Sequence, residues 1–572
     1  MTGRQRLRLL GALALLIAAA IGAWLLARQP PPASRAGTTG GRLVGTMRGE
    51  PTTFNRFVGT GMPTDIVAML TQSRLVRINR ATHELEPAMA ESWRVSDDGL
   101  EYTLRLRDAS FSDGQPFTAG DVLFSFAAAY DVRTASPLGS ALLVDGKPLQ
   151  VTSPSPHEVV VRFPRPYGPG LRILDNLPIY PRHRLQAALQ GGTFRTSWGT
   201  ATPPPEIAGL GPFVLTSYDP ARRLTFTRNP HYWGRDEHGR RLPYLDDLVL
   251  EIAADQNSEL LRLQAGQVDF LQNELRPEDY LPIKQQAGRG LRLETVGPTL
   301  DSYLLWFNLA RPADARRRWL GAEAFRLAVA HAVDRHAFAD TVYLGAAEPA
   351  WGFVSAANRQ WFASEVAGPA YDPARAAALL ASLDLADRDA DGVLEDDSGH
   401  PVRFSVFVRK GVTAGENGAA FVRQSLARVG VQMDVVALDL GSMMTRWGQG
   451  DYDAIYTLFS STDTDPAGNL DFWLSSGSTH LWHPSQARPA TEWEGRIDTL
   501  MQQQTRSLDP DERRRLFADV QRIFMEHLPA QSFATQHVHI ATSARVANAA
   551  PAVQQPQLLW SAERLAAGIP AR

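Results

Sequence analysis

From Arg42 onward, strand-like and helix-like runs alternate along the chain, and this alternation restricts the fold more than any single residue does. Residues 42–47 read as a strand. Residues 64–75 carry helical spacing, with Ile66, Val67, Leu70 and Leu75 on one face. Residues 102–106 alternate in the strand manner after the turn Asp97-Asp98-Gly99. Thr118 then caps a helix, and Asp121, three residues on, answers the cap. Strand patterns follow at 158–163, 213–218, 223–228 and 248–253. A helix at 258–265 ends at Gly266, and a short buried strand follows at 268–271. A second series starts after Leu300. It has helices at 323–332, 373–383, 418–429, 492–505 and 511–526, with strands at 402–408, 431–437 and 452–458. Residues 539–542 return a strand to the first unit. The expected fold class is α/β in two lobes, the first discontinuous in sequence.

A chain of 572 residues exceeds one compact core, so two or three structural units are expected. It contains no cysteine. That removes a disulfide framework, a thiol nucleophile, thiolate metal ligation and a lipid-modified cysteine anchor. The formal net charge is -3, with no basic tail suited to nucleic acid and no acidic tract suited to disorder. Arg4, Arg6 and Arg8 precede an apolar run over 9–27. Residues 1–28 therefore read as a secretory signal peptide or an uncleaved signal anchor, long enough to span a membrane. Residues 29–41, rich in Pro, Ala, Gly, Ser and Thr, suit a flexible linker. The rest is expected outside the inner membrane, in the periplasm or on the extracytoplasmic face, tethered or free.

Residues 87–126 form the most distinctive stretch. Leu85-Glu86-Pro87-Ala88-Met89-Ala90-Glu91-Ser92-Trp93 is followed by Ser96-Asp97-Asp98-Gly99-Leu100-Glu101-Tyr102-Thr103 and Leu106-Arg107-Asp108, and then by Phe111-Ser112-Asp113-Gly114-Gln115-Pro116-Phe117-Thr118-Ala119-Gly120-Asp121-Val122. Further blocks are Gly211-Pro212-Phe213, Arg228-Asn229-Pro230-His231-Tyr232-Trp233, Phe325-Arg326-Leu327-Ala328, Ala332-Val333-Asp334-Arg335 and Tyr371-Asp372-Pro373. In this order they resemble the extracytoplasmic solute-binding proteins of family 5, the receptors of bacterial ABC importers for peptides, dipeptides, oligopeptides and nickel. Ser112 and Gly120 depart from the residues usual there. The resemblance covers nearly everything from Gly41 onward. It implies a two-lobed periplasmic-binding-protein type II-like fold with an additional small subdomain inserted in the first lobe. The expected parts are 42–72, 201–299 and 506–572 for lobe I, 73–200 for the inserted subdomain and 300–505 for lobe II. It also implies a peptide or other small solute enclosed between the lobes, docking to ABC permease subunits in the inner membrane, a monomer, and no cofactor.

A receptor cleft needs hydrogen-bonding groups, a few charges and apolar walls. For a peptide, a carboxylate holds the amine, an arginine holds the carboxylate, and backbone groups need partners. Asp463 and Asp465 follow an apolar strand in Asp463-Thr464-Asp465-Pro466, and each also suits a turn or a cap. Asp465→Ala is expected to weaken binding without unfolding. Trp306 suits stacking on a ligand or core packing, and Asn308 suits a ligand carbonyl or hinge closure. Arg409, beside Lys410, ends a strand and suits a carboxylate or plain exposure. Asn55 and Thr60 follow the first strand at a cleft edge.

Asp387, Asp389 and Asp391 before Gly392 look like the front of a calcium loop, but Ser398 stands where that motif needs a bidentate Glu, and a solvated structural loop is the favoured reading. His231, His331, His336, His537 and His539 lack metal-site spacing. No serine elbow, phosphate-binding glycine loop or zinc motif supports an enzyme. The alternative to an importer receptor is a periplasmic sensory or chaperone-like peptide-binding protein, with a hydrolase further behind.

Overall fold

The structure, a computed structural model, describes residues 39–310, 315–461, 463–484 and 486–568. The signal segment and most of the linker expected at 1–41 lie outside the described residues. Among the described residues, no helix is long and apolar enough to cross a membrane.

Two groups of sheets organise the chain. In the first lobe, strand Arg42–Arg48 runs parallel to Asp247–Ala253, which continues antiparallel through Arg223–Arg228 to Phe213–Asp219. Beside it, Leu291–Pro298 pairs antiparallel with Ala534–Ser543. The strand expected at 268–271 contracts to bridges at Phe270, which joins Gly45 on one side and Thr542 on the other and so stitches the two sheets together. A separate antiparallel meander, Ala90–Val95, Glu101–Leu106, Glu158–Arg162 and Gln150–Ser155, lies within the inserted segment. It shares one hydrophobic core with the first lobe, in which Leu104 and Val122 join Leu43, Phe213 and Ile540.

The second lobe is built on a five-stranded sheet ordered Gln432–Leu438, Arg403–Arg409, Ala454–Phe459, Ser302–Phe307, Ala530–Gln531. Side-chain alternation along Ser302–Phe307 explains why both faces are covered. Leu305 and Phe307 point into a core with Phe325, Ala419 and Val422, whereas Leu304 and Trp306 point into a core with Ile497, Phe517 and Phe524. Helices Glu323–Ala332 and Thr413–Ala427 therefore cover one face, and Glu492–Arg506 and Pro510–His527 the other. Phe517, Val520, Ile523 and Phe524 keep residues 510–527 on the second lobe, so the return expected at 506 is made instead by strand Ala534–Ser543.

The signature residues turn out to hold backbone together. Asp121 Oδ2 accepts from Thr118 N at 2.9 Å, while Oδ1 accepts from Arg182 N at 2.9 Å, so one buried carboxylate serves the starts of two helices. Asn229 Nδ2 donates to Gly211 O at 2.8 Å, and the Arg107 guanidinium lies 4.4 Å from the Trp233 ring centre. Gly211 itself is sterically required. Its N–H donates to Thr71 O at 2.9 Å, and an added Cβ would lie 2.4 Å from Thr71 C and 2.5 Å from Leu70 O. Gly211→Ala is expected to lose about 1–3 kcal/mol of stability in a urea titration. Gly448→Ala, where a Cβ meets nothing within 4 Å, is expected to leave it unchanged or slightly raised.

Candidate functional site

A cavity of about 800 Å³ opens between the lobes, and its walls come from both. The first lobe and its insertion supply Arg56, Thr60, Asp145, Arg165, Tyr167 and Arg172. The second supplies Phe459, Asp463, Asp465, Asn469, Asp471 and Phe472. On the second-lobe side, strand Ala454–Phe459 delivers the chain to the cavity edge. Asp465 then caps a short 3-10 turn, accepting from Ala467 N at 3.0 Å. Buried Phe472 and Trp473 anchor the far end of the same loop in the core behind it.

The lobes touch across this cavity through a set of arginines. Arg172 Nη2 donates to Asp463 Oδ1 at 2.7 Å and to Thr464 Oγ1 at 2.9 Å, and its Nη1 donates to His83 O at 2.7 Å. Burial lowers the Arg172 pKa, but the Asp463 charge and hydrogen bond more than offset this and hold it above its ordinary value. Arg165 forks onto Asp145 at 2.7 and 2.9 Å and also reaches Thr505 O at 3.2 Å, while Gly168 N donates to the same carbonyl at 2.8 Å. Burial raises the Tyr167 phenol pKa, and the Asp465 and Asp463 charges raise it further, so the hydroxyl stays neutral.

The structure separates the seven residues singled out in the sequence. Thr60, Asp463 and Asp465 line the cavity. Asn55 is wholly buried: its Nδ2 donates to Phe194 O at 2.9 Å and its Oδ1 accepts from Phe57 N at 3.1 Å, so it fixes a loop. Trp306 belongs to the second-lobe core. Asn308 donates to Gly450 O and Tyr452 O at 2.8 and 3.0 Å and accepts from Ala310 N, which engages the whole amide. Arg409 is exposed, and its charge acts on Tyr303 at a smaller cavity of about 120 Å³. Sequence reading missed Arg165, Arg172 and Asp471. The two arginines lie about 300 residues from their second-lobe partners and carry no local signal. Asp471 follows Asp465 in the same loop.

Asp465 is not a free carboxylate. It accepts from Arg513 Nη2 at 2.7 Å, with side chains 3% and 6% exposed, and Arg513 also bonds Gln504. The expectation that Asp465→Ala leaves folding intact is therefore replaced. Removing this partner strands a buried guanidinium.

Asp301 lies where the chain passes from Leu291–Pro298 to Ser302–Phe307, beside the smaller cavity. Burial pushes its carboxyl up to about 6, although Ser461 N donates to it at 3.1 Å. At Asp387, Asp389, Asp391 and Glu395, one oxygen of each lies within 4.8 Å of the others. Backbone amides already occupy this cluster: Asp387 accepts from Gly392 N at 3.0 Å, Asp389 from Asp391 N at 3.1 Å and Glu395 from Arg388 N at 2.7 Å.

Two α/β lobes joined at one edge, with a cavity between them, define a receptor that encloses its ligand. Residues 84–480 match the family model described as bacterial extracellular solute-binding proteins, family 5 Middle, and the chain belongs to this family. A probable ABC transporter-binding protein of Deinococcus radiodurans is 25% identical over 544 residues, covering 89% of each chain. The di/tripeptide-binding protein 1 of Pseudomonas aeruginosa is 25% identical over 515 residues, covering 87% of this chain and 89% of its own. The oligopeptide-binding protein AppA of Bacillus subtilis, solved with a nonapeptide, superimposes with a TM-score of 0.67 at 21% identity, covering 93% of this chain and 100% of its own.

Two outcomes are expected. Asp465→Ala should lose about 3 kcal/mol of unfolding free energy in urea. The Asp301 pKa is higher folded than unfolded, so the folded state binds more protons between about pH 4 and 6. The Asp301 contribution to stability should therefore fall by about 2–3 kcal/mol as pH rises through that window, read as the difference between the pH profiles of the parent and Asp301→Asn, because His539, held down to about 4 by burial, contributes in the opposite sense.

Proposed function

We propose that this chain captures peptides between its lobes and delivers them to the permease of an ABC importer. The observation that carries this reading is the 800 Å³ cavity walled by both lobes, whose two sides already meet through Arg172 and Asp463. Ligand contacts to both walls stabilise the closed arrangement over the open one, and the closed surface is what a membrane partner reads. The peptide-binding relatives and the peptide-bound neighbour support the substrate class. The protein works on the extracytoplasmic side, held to the inner membrane by residues 1–28 if these are retained. It binds its solute without chemical change, as a member of a family of solute-binding proteins, and the cavity carboxylates are engaged in arginine pairs or in a hydroxyl hydrogen bond. The acidic loop at Asp387, Asp389 and Asp391 serves as a solvated structural turn, held by its own amides.

The test is mass spectrometry of solutes released by denaturing protein that was purified gently from an exporting host. A recurring population of short peptides is the expected result. A single non-peptide species would redirect the assignment.

A further inference from the structure

We propose that the first lobe holds a separate site for a small monovalent oxyanion that carries a hydroxyl, in a cavity of about 60 Å³ where the insertion joins the lobe. This cavity shares no lining residue with the one between the lobes. Among the described residues, three buried polar atoms on its lining have no hydrogen-bond partner: Arg80 Nη1, Trp233 Nε1 and Gln72 Oε1. Two are donors and one is an acceptor. Leaving such atoms unpaired away from water is costly, so their sharing one small space points to a ligand that answers all three.

The charges around the cavity are unevenly matched. Arg77 pairs with Glu563 at 2.6 Å and with Glu86 at 3.1 Å. Asp175 accepts from Ile78 N at 3.1 Å and faces Arg74 at 3.9 Å. Arg80 forms no ion pair among the described residues. The carboxylates whose charge reaches it are Asp175 and Asp65, and Asp65 pairs with Arg56. Burial pushes the Arg80 pKa down to about 10, so the guanidinium stays charged at neutral pH. The end of the cavity at Arg74 and Arg80 therefore carries a surplus positive charge, which one monovalent anion neutralises. On the measure by which a water takes about 10–15 Å³, the cavity holds about four heavy atoms, the size of hydrogencarbonate. Such an oxyanion accepts from Arg80 and Trp233, and its hydroxyl donates to Gln72 Oε1. The Gln72 amide has no reason to turn over, because its Nε2 donates to Thr71 Oγ1 and Ala208 O, both at 3.4 Å. Bound there, the anion ties residues 72–80, the crossing into the insertion, to the block 228–233 that carries Trp233.

The probe is sodium hydrogencarbonate at mildly alkaline pH, with ionic strength held by sodium gluconate, whose anion is too large for the cavity. Thermal melting of the full chain is followed as the probe is titrated. The expected result is a melting temperature that rises and saturates. Sodium formate, which has no hydroxyl for Gln72, should need about tenfold more to reach half the rise. Arg80→Gln should remove the saturating rise and, without added anion, melt no lower than the parent, because the unmatched charge is gone. Trp233→Phe keeps a ring beside Arg107 but no N–H, and should raise the half-saturating concentration about tenfold. No saturating rise in the parent, a rise of the same size in Arg80→Gln, or formate as effective as hydrogencarbonate would overturn the site. Where Arg80→Gln fails to fold, Trp233→Phe decides, and an unchanged half-saturating concentration there would overturn it equally.

Discussion

The chain crosses between its lobes at one edge, and the remaining architecture depends on how those crossings are built. Leu291–Pro298 ends in the first-lobe sheet, and Ser302–Phe307 begins in the second only four residues later. The return is as short, from Ala530–Gln531 to Ala534–Ser543. Because Leu291–Pro298 and Ala534–Ser543 are themselves an antiparallel pair, both crossings share one line. A pair of short crossings on one line permits rotation and resists sliding, which is the geometry of a hinge. The surfaces away from that line are then the ones able to enclose something, and the 800 Å³ cavity lies there.

Charge is arranged within this frame by pairing. Arginines that face the cavity are matched to aspartates, two of them on loops of the opposite lobe or against its backbone, as Arg172 meets Asp463 and Arg165 meets Thr505 O. Such pairs are partly buried and partly solvated. They fix the register of the closed walls more than they add to stability. Carbonyl, hydroxyl and carboxylate groups on the walls remain to meet a solute, with Phe459 and Phe472 as apolar backing.

Much of the fold was legible in the sequence because period and capping are local. The helix predicted at 323–332 is Glu323–Ala332, and the Thr118–Asp121 pair caps a helix as its spacing implies. Two elements were misread for non-local reasons. Residues 268–271 look like a strand because they are apolar, yet Phe270 serves as a single stitch between two sheets. Residues 510–527 carry an ordinary amphipathic helix pattern, and nothing in that pattern tells which lobe their buried face of Phe517, Val520 and Phe524 will join. The site was less legible. Asp463 and Thr60 were placed near the cavity by their positions after strands. Asn55 and Asn308 looked like ligand groups because a buried amide that holds backbone has the same sequence signature as one that holds a ligand. Arg172 and Arg513 neutralise aspartates from distant segments, and a single sequence does not show such partners.

Hydrogen–deuterium exchange, followed with the co-purified solute bound and after its removal, tests enclosure between lobes most directly. Enclosure requires slower exchange in the bound state at residues 167–176 and at residues 463–473 together, since these segments form opposite walls. Slowing confined to one of these walls, or found only away from both, would contradict it.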